Sequence, residues 1–220
     1  MNFLRMHWFD LGPALAVAVG GFVLLTRPAG LALLLWLSLI SLFVHQFEEY
    51  RYPGYFPGMI NTVLFQSAKP DRYPLNPNSA LVVNVGVGWL FYVAAAVFGD
   101  RIVWLGIATI LVSVGNIVAH AVLFNLRGKT IYNPGMATAV VLFLPLAVYF
   151  FYEVVQNHSA ASGDWIIGVA LGLVLNYVGI LKLIDWLKDE NTPYVFPARC
   201  LNANRRARPI GGVQLVHREL

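Results

Sequence analysis

The stretch AGLALLLWLSLISLFV-HQFEE, Ala29 to Glu49, decides how the rest of the chain is read. The sixteen residues from Ala29 to Val44 carry no charge, and then an imidazole and two carboxylates, His45, Glu48 and Glu49, arrive within five positions. At spacings i, i+3 and i+4 these three share one face of a helix. With its apolar flank, the run is long enough to cross a bilayer. A span does not ordinarily end with a histidine and two carboxylates on the same face. The stretch therefore predicts a membrane protein with a polar cluster at one end of its bundle.

Composition extends that reading to the whole chain. It is 58% hydrophobic and 12% charged, with a mean hydropathy of +0.65, where a soluble domain carries roughly 25% charged residues. Spans of about 20 residues use more than half of its length. The expected fold is all-α, an integral membrane bundle of about six transmembrane helices. The spans are read at Leu11–Leu25, Ala29–Phe47, Ser79–Phe98, Ile102–Phe124, Pro134–Val155 and Trp165–Leu187. The first is taken as a span rather than a signal peptide, because no small-x-small cleavage site precedes a polar mature start. Met1–Asp10 is a short amphipathic segment. The Tyr-, Pro- and Gly-rich loop from Tyr50 to Pro77 holds an apolar middle, Met59–Gln66, of interfacial or re-entrant type. One transmembrane domain covers residues 1–188, and a basic polar tail covers 189–220. The single Cys200 excludes an intramolecular disulfide and a thiolate metal site.

A net charge of +4 resembles a nucleic-acid signal only until the charges are placed. Six spans put Arg5, Arg51, Lys69, Arg72, Arg127, Lys129 and the tail arginines (Arg199, Arg205, Arg206, Arg208 and Arg218) on one side, against Arg27 and Arg101 on the other. The positive-inside rule makes the rich side, with both termini, cytoplasmic. The expected partner is the lipid bilayer, with anionic headgroups near the tail. Nucleic acid is not expected, and nothing specifies an oligomeric state.

The same topology brings distant polar residues to one depth. His45, Glu48 and Glu49 lie at the cytoplasmic end of the second span. Asn116 and His120, four residues apart and so on one face, lie near the same end of the fourth, and Tyr132-Asn133-Pro134-Gly135 starts the fifth. If the second and fourth spans pack together, His45, Glu49 and His120 form a two-imidazole, one-carboxylate metal shell. Such a shell suits zinc and equally iron or manganese. Glu48 is then a spare carboxylate placed as general base, Asn116 orients a substrate carbonyl or developing oxyanion, and Tyr132 is a further candidate. A shared ion with bonds near 2 Å requires the two imidazoles within about 8 Å of each other.

In these residues the chain resembles the HXXEE family of multi-pass membrane proteins. The three signatures of that family, HxxEE, NxxxH and YxPG, match His45–Glu49, Asn116–His120 and Tyr132–Gly135 in order. The resemblance implies a multi-pass membrane protein with no established activity. The residues themselves point to a metal-dependent hydrolase of a lipid or lipidated substrate. Alternatives are an ion- or proton-coupled transporter, and a structural protein in which the cluster is polar glue between helices.

Overall fold

In the computed structural model, which describes residues 2–201, six helices are long and apolar enough to cross a membrane. They are α1 (Phe3–Thr26), α2 (Gly30–Tyr50), α4 (Pro77–Phe98), α5 (Val103–Gly128), α6 (Met136–Gln156) and α7 (Ser162–Trp186). A short α3, Phe56–Met59 continued as a wider turn over Ile60–Leu64, sits in the loop after α2. The described residues contain no strand. Large apolar side chains such as Val17, Leu25, Val148, Ile166 and Leu173 face outward from the spans. A lipid-facing surface requires this, since backbone polar groups are satisfied within each helix.

Two of the boundaries that differ from the sequence expectation have a visible cause. The amphipathic start is not separate: Trp8–Leu11 tightens into a 3-10 turn that joins Asn2–His7 to Gly12–Thr26. Burial of Trp8 and Phe9 against Tyr50 holds that junction. The second helix runs on to Tyr50 rather than stopping at Phe47. Glu48 is hydrogen-bonded by the start of α6 and Glu49 is buried facing His120, so neither ends it at the membrane boundary. The chain leaves helical geometry only near Pro53, whose ring disfavours a helical residue before it.

The spans are not equally enclosed. Along its most apolar stretch α2 is half buried and α5 44% buried, against 11% for α1, so α2 and α5 form the centre of the bundle. Against α5, α7 packs through Gly168 and Gly172. A Cβ on Gly168 would stand 2.8 Å from the Trp104 carbonyl oxygen, and one on Gly172 would stand 2.8 Å from Leu111 Cβ. Small residues four apart let two helix backbones approach in this way where lipid offers no hydrophobic drive. Four spans widen locally into π-type turns: Val82–Trp89, Ala119–Leu123, Ala139–Phe143 and Tyr177–Lys182. Such turns re-aim side chains and recur at functional sites; His120 lies in the second of them.

The residues after α7 return to the bundle. Phe196 N–H donates to the Asp71 carbonyl (2.9 Å), and Arg199 Nη1 donates to the Tyr50 carbonyl (2.7 Å). The arginine thereby satisfies one of the orphan carbonyls at the end of α2 and places a cation at its negative pole. Cys200 is fully buried in the same cluster as Trp8, Tyr50 and Phe56. A Cβ on Gly58 would collide with the Leu201 backbone. Both described ends of the chain thus lie at the His45 end of the bundle. Arg205, Arg206, Arg208 and Arg218 of the expected basic tail lie outside the described residues.

Candidate metal centre

Helices α2 and α5 bring His45, Glu49 and His120 together, all buried. The two imidazoles meet edge to face with centroids 5.0 Å apart, inside the limit that a shared ion sets. Glu49 Oε1 stands 3.2 Å from His120 Nε2 and 3.6 Å from His45 Nε2, and one ligand atom from each residue lies within 4.8 Å of the others. Two ligand atoms each about 2.1 Å from a tetrahedral ion stand about 3.4 Å apart, so both measured edges match such a shell.

The start of α6 fixes the protons. Asn133, fully buried, donates from Nδ2 to the His120 carbonyl and to Asn125 Oδ1, each at 2.8 Å. A carbonyl only accepts, so the amide orientation is settled, and Asn133 Oδ1 must accept from His120 Nδ1 at 2.7 Å. Thr138 Oγ1 donates its one proton to Glu48 Oε2 at 2.6 Å, so His45 Nδ1–H donates to Thr138 Oγ1 at 2.8 Å. Each imidazole therefore carries its proton on Nδ1 and turns the Nε2 lone pair toward Glu49 Oε1. His45 Nε2 is buried without any hydrogen-bond partner among the described residues. Metal-binding histidines share this pattern, in which the outer N–H donates to a neighbour and the inner nitrogen is free for the ion.

Glu48 stands apart from this triad. Its Oε1 accepts from Tyr132 O–H (2.8 Å) and Ala137 N–H (3.2 Å), and its Oε2 accepts from Thr138 N–H (2.8 Å) and Thr138 O–H. It caps the N-terminus of α6 from another helix, covering orphan N–H groups with negative charge. Both oxygens are committed, which differs from the spare general base expected from sequence. Tyr132 lies partly exposed at this corner. Burial, with the Glu48 carboxylate beside it, holds its hydroxyl above the usual phenol range. Asn116 lies beside His45 but donates its amide to the Val112 carbonyl of its own helix (3.0 Å). Gly135 has φ +97°, and a Cβ there would run into the His120 ring, so no side chain is accommodated.

A cavity of about 90 Å³ adjoins His45 and Glu49 and reaches between α2, α4, α5 and α7. Its walls are mainly apolar, among them Leu42, Val87, Phe91 and Leu175, with Asn116, Asn84, Gln46, Tyr50 and Tyr92 as the remaining polar lining. Sequence reasoning missed Asn133, Thr138, Gln46 and Tyr50 as parts of this centre. Asn133 lies inside the YxPG signature, and a side-chain amide just before a helix start was the available signal.

The model of the family described as "Protein of unknown function with HXXEE motif" matches residues 36–150, just over half of the chain and inclusive of all three motifs. No curated protein and no solved structure matches the chain. With the motif residues His45, Glu48, Glu49, Asn116, His120 and Tyr132 all drawn into one corner of a six-span bundle, the chain belongs to the HXXEE family of proteins of unknown function.

Proposed function

We propose that His45, Glu49 and His120 hold a divalent transition metal, zinc or alternatively iron or manganese, and that the chain hydrolyses a lipid or lipidated substrate at the cytoplasmic side of the membrane. One observation carries the metal assignment: two imidazole lone pairs, their tautomers set from behind by Asn133 and Thr138, converge on one carboxylate oxygen while His45 Nε2 has no partner. Leaving such a buried atom unsatisfied costs about 1–3 kcal/mol. A cation satisfies all three atoms at once, and supplies a Lewis acid for a carbonyl or phosphoryl oxygen. Glu49 Oε2 makes no hydrogen bond among the described residues and is the carboxylate oxygen left to take a proton from water. Asn116 borders the cavity beside His45, where it can orient the substrate. The apolar walls suit a membrane-resident substrate. The basic residues at this end of the bundle, Arg51, Lys69, Arg72, Arg127 and Lys129, support its cytoplasmic placement.

The test is elemental analysis of protein purified without a histidine tag, beside His45→Ala and His120→Ala. One equivalent of metal in the parent, lost in both variants, is expected. Metal-free protein whose stability ignores chelators would remove the metal assignment. For the reaction, nitrophenyl esters of increasing chain length in mixed micelles are expected to turn over only in metal-loaded parent. Fully metallated protein that leaves ester, amide and phosphoester probes intact would remove the hydrolase.

A second reading, an ion- or proton-coupled transporter, has its own observation. Ser41 and Ser38 precede His45 by four and seven residues, and Asn116, Ser113 and Thr109 precede His120 by four, seven and eleven. Two helical faces thus carry buried hydroxyls away from the site toward the other membrane side, and Ser38 Oγ has no partner. Proton flux in liposomes, abolished by Ser38→Ala and Ser113→Ala but not by chelators, would favour it over the hydrolase.

A further inference from the structure

The cavity beside the metal triad has a second polar wall, and its hydrogen bonds run in one direction. Trp89 Nε1–H donates to Gln46 Oε1 (2.6 Å), Gln46 Nε2 donates to Asn84 Oδ1 (3.1 Å), and Asn84 Nδ2 donates to the Tyr50 hydroxyl oxygen (3.2 Å). Both ends of this chain are fixed by chemistry. An indole N–H only donates, which sets the Gln46 amide. The Ala80 carbonyl only accepts, and it takes a second bond from Asn84 Nδ2 (2.9 Å), which independently sets the Asn84 amide. An amide nitrogen cannot accept, so the Tyr50 oxygen is the acceptor in its bond with Asn84. Its own proton is left over, with no acceptor for it among the described residues.

The ring that carries this proton is locked. Tyr50 is 1% exposed and is packed by Trp8, Phe9, Phe56 and Phe196, with centroids 4.9–6.4 Å away. It lines the same cavity as His45, Glu49 and Asn116. A buried polar group of this kind is ordinarily paired; here the empty direction is the cavity.

We propose that the cavity is a subsite for the carbonyl group of an uncharged, apolar ester or amide, whose oxygen accepts a hydrogen bond from the Tyr50 hydroxyl. The mainly apolar walls disfavour a charged headgroup, because a charge taken from water needs pairing that those walls do not offer. The left-over Tyr50 hydroxyl proton calls for an acceptor. A volume of about 90 Å³, roughly that of three waters in the liquid, admits the carbonyl and its first substituent carbons and leaves a longer tail outside. For the reaction this rests on the hydrolase reading, but the binding does not. Tyr50 is a positioning residue: it holds the carbonyl beside Glu49 without taking part in bond cleavage.

The test uses full-length protein in detergent with 2-octanone, a neutral and non-hydrolysable carbonyl compound labelled with 13C at the carbonyl, observed by isotope-edited infrared spectroscopy. A second, lower-frequency carbonyl band is expected in the parent and not in Tyr50→Phe, with about fivefold weaker binding, as for a lost neutral hydrogen bond. Because Tyr50→Phe also disturbs the aromatic cluster, 3-fluorotyrosine placed at position 50 is the second variant. It keeps the shape and is a stronger donor, and should move the band further. The band is expected to persist in His45→Ala, where metal is lost, so a failed metal assignment leaves the subsite standing. Absence of the band in the parent, its persistence in Tyr50→Phe, or its loss in His45→Ala alone would overturn the subsite.

Discussion

Glu48 is the residue at which spacing and structure assign different jobs, and its substitution separates them. As a general base it would be dispensable for folding. As the cross-helix cap of α6 it accepts four hydrogen bonds, two on each oxygen, from Tyr132, Ala137 and Thr138. Glu48→Gln keeps the shape but turns one acceptor into a donor. The Tyr132 hydroxyl can reverse, so the loss is the Ala137 bond and the charge assistance of the others. With about 1.5–3 kcal/mol for a bond to a charged group, and less inside a membrane bundle, where cycles average about 0.6, the cost is about 2 kcal/mol. Glu48→Ala removes all four bonds and leaves the α6 N–H groups without acceptors, at about 4 kcal/mol. For a chain of this size each kcal/mol moves Tm by about 2–4 °C. Thermal unfolding in detergent should therefore fall by about 4–8 °C for Glu48→Gln and about twice that for Glu48→Ala. Metal content should fall together with stability, since Thr138 orients His45. A Glu48→Gln protein that melts within about 2 °C of the parent, retains its metal and yet loses all turnover would refute the cap and restore the base.

Other outcomes follow from the same geometry. Asn133→Leu removes the acceptor that sets the His120 tautomer and Thr138→Val the one that sets His45, and each should weaken metal affinity about 10–100-fold, read by competition with a chromophoric chelator. Gly135→Ala should lose the metal outright and destabilise by more than the roughly 1–2 kcal/mol of a left-handed non-glycine residue, because its methyl displaces the His120 ring; melting with and without zinc checks both. Tyr132 has its hydroxyl pKa raised by burial and by Glu48. The unfolded chain therefore releases that proton first, and stability should fall as pH rises above the ordinary phenol value of about 10. Tyr132→Phe should flatten this alkaline limb in pH-dependent melts. Burial pushes the Cys200 thiol up to about 11. Maleimide at neutral pH should label it only after the 189–201 segment is released, as in Gly58→Ala; rapid labelling of native protein would contradict the docking of that segment.

Much of this centre was legible because membrane topology is a strong constraint. Alternating spans oblige residues near the ends of the second and fourth helices to share a depth, and the i, i+4 spacings of His45 with Glu49 and of Asn116 with His120 give each helix one polar face. What the spacing left open was the division of labour between the two glutamates. At 100° per residue, Glu49 lies about 40° to one side of His45 and Glu48 about 60° to the other. Those directions lead to different neighbours, Glu49 to α5 and Glu48 to α6. Only packing tells which is which. Asn133 and Thr138 were hidden for the same reason: a helix start reads as a turn until its neighbour is known. The segment after α7 reads as an irregular tail because its composition is polar, while Phe196, Arg199 and Cys200 suffice to dock it.

Helix glue and the proposed metal site make different demands on the same three side chains, and they differ most at His45. Glue is satisfied by pairs. If His120 carried a second proton on Nε2, it would donate to Glu49 at 3.2 Å and the α2–α5 contact would have its hydrogen bond. Nothing in that arrangement employs His45 Nε2, which stands at 3.6 Å, beyond hydrogen-bond length, and would remain buried and unpaired. A leucine in its place would serve glue better, because replacing a buried polar group by an apolar one of similar size is often neutral or stabilising. Protonating His45 as well would set two buried cations against one carboxylate. The arrangement instead has Thr138 holding the outer nitrogen of His45 and Asn133 holding that of His120, each from the start of a third helix whose own N-terminus is tied down by Glu48. Three elements are thus used to aim two lone pairs at one point. A contact between two helices does not require that, and the proposed coordination of a cation would.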